Sequence, residues 1–298
     1  MEKLEYQQLF STGTLALTAK EFGRAAAALE SCYAFKTNFR TNYLLFLAMC
    51  GQKKFAAAFT LAQEYLREYI SDNERFEKLL FAGAQAQKFI EIRKICTAVA
   101  PYMSATENKH FFTLLARQEA EFVKQQPVLY HKLKKEVVYC GSFDIFNQRT
   151  VWRKSHALPL ADYLITVGFL LKDPNVHQLI KVNVLDDLRT LKVADEYELS
   201  FLDHKLYKIQ PNKLHLFASS KLYQAFETSL LECNQDGLGQ KRWEEVRLKL
   251  SLLYPFETQL VSFSKSWQRI LLYEKEHLTA AEKLWANRLE SSLTAWNI

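Results

Sequence analysis

The sequence predicts a mainly α-helical chain: stacked helical hairpins, then a helical domain with one small β-hairpin. Three observations lead there. Glycine and proline, 8 and 6 residues, make only 14 of 298 positions, where a chain of this length would carry about 36. Sheet sandwiches and barrels need turn residues every few positions, so a large β fold lacks material. Phe22, Phe55 and Phe89 recur at spacings of 33 and 34 residues, each opening a run with helical periodicity. Only residues 196–209 read as paired strands.

Beyond each aromatic, the third, seventh and tenth positions stay small or apolar. They are Ala25, Leu29 and Cys32, then Ala58, Ala62 and Tyr65, then Ile92, Cys96 and Val99. That spacing is one face of a helix. A second helical run precedes each aromatic, over residues 6–18, 38–50 and 74–85. A fourth hairpin is expected from 107–123 and a helix opened by Pro127, with Gly141 as its C-cap.

Residues 142–157 show no clean period and read as a linker or docking segment, which Phe143, Phe146 and Trp152 would pack down. Pro159 then opens a helix, and Asp173-Pro174 reads as N-cap and first residue of the next. That helix carries Val176, Leu179, Ile180, Val184, Leu188 and Leu191 at core spacing. A two-residue turn at Asp203-His204 fits the strand pair, since both residues tolerate positive φ. Helices are expected near 218–234, 241–253 and 259–276, with a loop at Asp236–Gly239. Thr279-Ala-Ala-Glu282 is a capping box for the last helix. The domains are therefore 1–141, a linker at 142–158, and 159–298.

Two helices per roughly 34 residues is the tetratricopeptide period, and residues 1–141 resemble degenerate tetratricopeptide (TPR) repeats. The resemblance implies a right-handed superhelix. Gly13 and Ala25 keep the small residues of such a repeat. Phe46, Leu80 and Ile92 replace them later, which predicts irregular packing with Gly13 as the one packing glycine. Three features resemble a family of cytoplasmic TPR-like proteins of unknown function from low-GC Gram-positive bacteria: Asp173-Pro-Asn-Val-His177, the hairpin near 196–210 and Leu252-Leu-Tyr-Pro-Phe256. The likeness covers about 160–285 and carries no catalytic residues over.

Composition and charge bound the function. With 49% hydrophobic and 24% charged residues the chain can fill a core. The net charge of +6 is modest, and no helix-turn-helix reader is visible, so nucleic-acid binding is not expected. The acids Glu2 and Glu5 do not suit a signal peptide, and residues 163–171 are too short a span for a membrane. Cys32, Cys50, Cys96, Cys140 and Cys233 are too far apart for a metal or disulfide framework, which points to free thiols in the cytoplasm.

No enzyme chemistry stands out. The seven histidines form no metal motif, Cys140-Gly-Ser lacks a base, and no cofactor is expected. Asp186-Asp187, with Arg189, and the basic run 131–135 read as solvated helix faces. In TPR arrays the first helix of each repeat lines a partner-binding groove. The alignment places Gln7, Phe10, Thr14, Arg40, Tyr43, Leu47, Glu74, Glu77 and Phe81 there. At the positions of the TPR clamp for C-terminal carboxylates stand Phe10, Thr14, Leu44, Glu74 and Lys78. Only Lys78 keeps the charge, so that ligand is not expected.

The function read from the sequence is thus a non-enzymatic scaffold for a protein or peptide partner. The alternatives are a nucleic-acid-associated regulator and an enzyme with a site near Trp152, His156 and His177. Trp285 and Trp296, on one face of the last helix, offer a homodimer surface or an intramolecular core.

Overall fold

The computed structural model describes residues 3–232, 238–257, 270–271 and 278–295. Contacts divide the chain into two compact units, 1–127 and 128–298. The division falls earlier than position 141, between the two helices expected to form a fourth hairpin. The described chain is mainly helical with one two-stranded antiparallel sheet.

In the first unit, helices α1 (Lys3–Thr18) and α2 (Phe22–Phe35) form one hairpin. Helices α3 (Phe39–Gly51) and α4 (Phe55–Ala62) form the next, prolonged by a 3-10 turn and the short α5 (Leu66–Ile70). Helices α6 (Asn73–Gln85) and α7 (Phe89–Val99) form the third, and α8 (Ala105–Gln125) follows. The second helices begin at Phe22, Phe55 and Phe89, as the spacing predicts.

One backbone device sets that spacing. Lys20, Lys53 and Gln87 all sit in the left-handed region, with φ of 61°, 59° and 59°. Each closes a Schellman turn. The amides of Glu21, Lys54 and Lys88 reach back to the carbonyls of Ala16, Met49 and Gly83 at 2.9, 2.9 and 2.8 Å. The amides of Lys20, Lys53 and Gln87 reach Leu17, Cys50 and Ala84 at 3.1, 2.9 and 2.9 Å. Orphan carbonyls at the ends of α1, α3 and α6 are thereby satisfied, and the aromatic two residues later opens the next helix. The first helices start differently, on side-chain caps: Asn38 for α3, Asp72 for α6, and a Ser104–Glu107 capping box for α8.

Small residues fill the spaces between helices. Ala16, Ala25, Ala26, Leu29, Leu45 and Ala48 make a buried cluster, and Ala58, Ala62, Ile92 and Cys96 continue the core. Gly13 packs as expected: a Cβ there would lie 2.7 Å from Leu29 Cγ. It is not the only packing glycine. A Cβ on Gly51 would lie 2.3 Å from the Phe22 ring, and one on Gly83 would lie 2.4 Å from Ile92 Cγ2 and 2.8 Å from Phe59 Cε2. The close approaches move along the first helix from hairpin to hairpin, so a fixed repeat position misses them. Arg93 on α7 grips Glu119 on α8 with two bonds of 2.9 and 2.8 Å, both side chains being buried.

The second unit starts with α9 (Pro127–Val138). Gly141 does not cap it. The helix ends at Val138, and Gly141 lies in a 3-10 turn where a Cβ would meet Asp173 Oδ2 at 2.0 Å. The segment expected to be a linker contains a helix, α10 (Ile145–Ser155), capped by Asp144. Its buried face holds Gln148, Val151 and Ser155. Two of those three are polar, which hides the helical period. Gln148 is satisfied by the carbonyls of Phe143 and Asn175, at 2.9 and 3.0 Å, and by the His177 amide at 2.8 Å.

Pro159 is the N-cap of α11 (Leu160–Lys172). Helix α12 (Gln178–Thr190) is capped by His177, whose Nδ1 accepts from the Leu179 amide at 3.2 Å. Asp173-Pro174 instead forms a turn before it. Ile180, Val184 and Leu188 are fully buried. Strands β1 (Tyr197–Ser200) and β2 (Leu206–Ile209) pair antiparallel, Tyr197 opposite Ile209 and Ser200 opposite Leu206. The turn has three residues, 202–204, with His204 at φ 62° and its amide on the Phe201 carbonyl. Leu202 breaks the strand alternation because it belongs to this turn.

Helices α13 (Lys221–Glu232), α14 (Leu238–Leu253) and α15 (Ala280–Ala295) complete the described part. Gly239 lies within α14, not in the expected loop. The Thr279–Glu282 capping box forms, with bonds of 2.7 and 3.3 Å. Trp285 is buried within its own chain, 6.2 Å from the Phe201 ring. Most of the helix expected at 259–276, and Cys233, His277 and Trp296, lie outside the described residues. Among the described residues, no helix is long and apolar enough to cross a membrane.

The contrast between glycines is testable. Gly83→Ala pushes a methyl group into Ile92 and Phe59 and is expected to cost about 1–3 kcal/mol. Gly23→Ala meets nothing within 4 Å and is expected to gain about 0.5–1 kcal/mol from helix propensity. Urea unfolding midpoints should therefore move in opposite directions, and a shift of the same sign would contradict the packing.

Candidate functional site

The first helices of the three hairpins, α1, α3 and α6, and the following α8 share a row of side chains linked at the repeat spacing. The Arg40 guanidinium lies 4.8 Å over the Phe10 ring. Lys78 donates to the Tyr43 hydroxyl at 3.2 Å and to Glu74 Oε1 at 2.6 Å. Its hydrogen bond to Glu74 holds the Lys78 amine above its usual range. Glu77 Oε2 lies 3.4 Å from His110 Nε2. Apart from Lys78–Glu74, which lies within α6, the partners stand 30 to 35 residues apart, so those links join successive first helices and α8.

Of the residues expected on this face, Gln7, Arg40, Glu74 and Glu77 are exposed and Phe10, Thr14, Tyr43 and Leu47 half-buried. Thr14 turns back to donate to the Phe10 carbonyl at 2.8 Å. Tyr43 is held by the aromatic group of Phe39, Phe46 and Tyr69, which fixes its ring and leaves its hydroxyl to Lys78. Phe81 is 43% exposed and leans edge-on against Phe55, at 5.8 Å.

Helix α8 adds residues that the three-repeat alignment did not reach. A cavity of about 470 Å³ lies between Glu77 on α6 and Lys109, His110, Thr113, Leu114 and Arg117 on α8. The signal was available, since position 77 advanced by one period of 33 is position 110. The arrangement suits recognition: cations and one acid at an open rim, beside a leucine.

Burial pushes the thiols of Cys50, Cys96 and Cys140 up to about 12, so each stays protonated at neutral pH. Among the described residues no group of His, Cys, Asp and Glu could hold a metal ion.

The residues considered for an enzyme site divide into two clusters. Trp152 and His156 meet Asp187, which is not solvated as its Asp-Asp-x-Arg setting suggested. Asp187 is 3% exposed, whereas Asp186 beside it is exposed and paired with Arg189 at 2.7 Å. One oxygen, Asp187 Oδ2, accepts from Trp152 Nε1 at 3.1 Å, His156 Nε2 at 2.8 Å and the Tyr163 hydroxyl at 2.9 Å. Helices α10, α11 and α12 are thereby tied to one buried carboxylate. The helix phase carried this signal, since position 187 falls in the stripe of Val184 and Leu188. His177 belongs elsewhere: its Nε2 donates to the Ser292 carbonyl at 2.9 Å.

Asp187→Asn removes the charge that three donors converge on and is expected to cost about 2–4 kcal/mol. Chemical denaturation of the full chain measures it, and a change near zero would contradict the convergence. No family model, no curated protein and no solved structure matches this chain.

Proposed function

We propose that the chain is a non-enzymatic, TPR-like interaction scaffold whose first-helix face, in residues 1–127, binds an extended segment of a protein partner. The observation that carries this reading is the in-register row across α1, α3, α6 and α8. It offers half-buried or exposed aromatics at Phe10, Tyr43 and Phe81 and ends at the cavity between Glu77 and Arg117. Rigid aromatic rings give contact area at little entropic cost, and charged groups at the rim fix register.

The partner segment that suits the face has an apolar side chain for Phe81 and an acidic one for Lys109 and Arg117. Glu77, already beside His110, would disfavour a second acid on the α6 side. Free thiols at Cys32, Cys50, Cys96 and Cys140 support a reducing, cytoplasmic setting for the scaffold.

The test uses residues that the core does not need. Phe81→Ala and Arg117→Glu are expected to leave thermal unfolding close to wild type. Each should weaken binding of the partner captured by wild-type protein by about tenfold or more. The partner is identified by affinity capture, re-expressed and titrated calorimetrically. Unchanged affinity in both variants would remove the face from the function.

A further inference from the structure

A second cavity, in residues 128–298, has the features of a built ligand site. It encloses about 500 Å³ between the start of α12, the end of β1 and the face of α15, within the range of small-molecule pockets. Among the described residues its lining contains no Asp or Glu. It does contain Lys181, Arg288, His177 and His204.

Two of its polar side chains are deeply buried and have hydrogen-bonding capacity to spare. Gln178 is 4% exposed, and its Nε2 has no hydrogen-bond partner among the described residues. Lys181 is 2% exposed, and the hydrogen bond it makes is to the Ser200 carbonyl at 2.8 Å. An ammonium group has three donors, so one acceptor leaves two for something else. Native proteins satisfy nearly all such buried groups, with protein, ordered water or a ligand.

The surroundings sharpen the chemistry. Asp173 is the acid that pulls Lys181 upward, but burial outweighs it and holds the amine down at about 8. Arg288 stacks 4.8 Å over the Trp285 ring and has no ion-pair partner among the described residues. The cavity also sits at the N-terminal end of α12, where the helix dipole favours negative charge. The remaining walls are apolar, with Ile145, Val176, Phe201, Leu202 and Leu284.

We infer that this cavity binds a small organic anion, its oxyanion head on Lys181 and Gln178 and its apolar body against Phe201, Val176 and Leu284. The head could be a carboxylate or a phosphate ester, which present the same acceptor oxygens. The site is separate from the partner-binding face of residues 1–127, so either reading can fail without the other.

Titration of the full chain with phenyl phosphate, phenylacetate and neutral phenol tests the inference, with chemical-shift changes as the readout. At least one anion is expected to bind with a dissociation constant of about 1 mM or tighter, and phenol about tenfold more weakly. The stronger anion assigns the head group. Lys181→Met, which keeps the length of the stem, should weaken anion binding about tenfold or more. Should that buried variant fail to fold, Arg288→Met, at the half-buried rim, should weaken anion binding severalfold while phenol binding stays the same. Absence of binding by both anions, phenol binding as tightly as they do, or full affinity in the folded variants would overturn the inference.

Discussion

Three turns with a residue in the left-handed region hold the first unit together. At Lys20, Lys53 and Gln87 the backbone reverses under two reciprocal hydrogen bonds, and the residue two further on starts a helix. The turn fixes where the second helix begins, and so which of its faces meets the first. Ala25, Ala58 and Ile92 then fall at equivalent buried positions. Because each hairpin closes the same way, side chains one period apart come within reach. Arg40 over Phe10, Lys78 on Tyr43 and His110 beside Glu77 are consequences of that repetition. The candidate binding face is thus a product of turn geometry as much as of the side chains on it.

The second unit is ordered by other means. Its helices α10, α11 and α12 converge on buried polar groups. Asp187 collects three donors on one oxygen, and Gln148 satisfies two carbonyls and an amide. Such groups are costly when unpaired, so each demands one arrangement of its neighbours. Gln178 and Lys181, one turn of α12 apart, depart from this pattern, because the cavity leaves part of their capacity unused.

Much of the first unit was legible in the sequence because its signals were apolar and periodic. Phe22, Phe55 and Phe89 gave the second helices, and one period of offset gave the face residues. The turns themselves were not legible: the left-handed positions hold two lysines and a glutamine, where glycine or asparagine would be the usual mark. Gly51 and Gly83 were missed for a related reason, since their close approaches shift along the helix. In the second unit, polarity was misleading. Asp187 was read by charge as solvent-facing, although its phase with Val184 and Leu188 placed it inward. Gln148 and Ser155 hid α10 in the same way. Asp173-Pro174 imitates a helix start, while the real cap, His177, has a ring nitrogen in a role more often taken by a hydroxyl or carboxylate.

The left-handed turns set the register of the first unit, and glycine scanning addresses them directly. In a helix or strand, glycine weakens a protein, whereas at a left-handed position it relieves the strain of a Cβ. Lys20→Gly, Lys53→Gly and Gln87→Gly, each measured by denaturant unfolding of the full chain, are expected to raise stability by up to about 1 kcal/mol apiece. A loss of stability at all three positions would contradict the turn geometry and, with it, the register of the face.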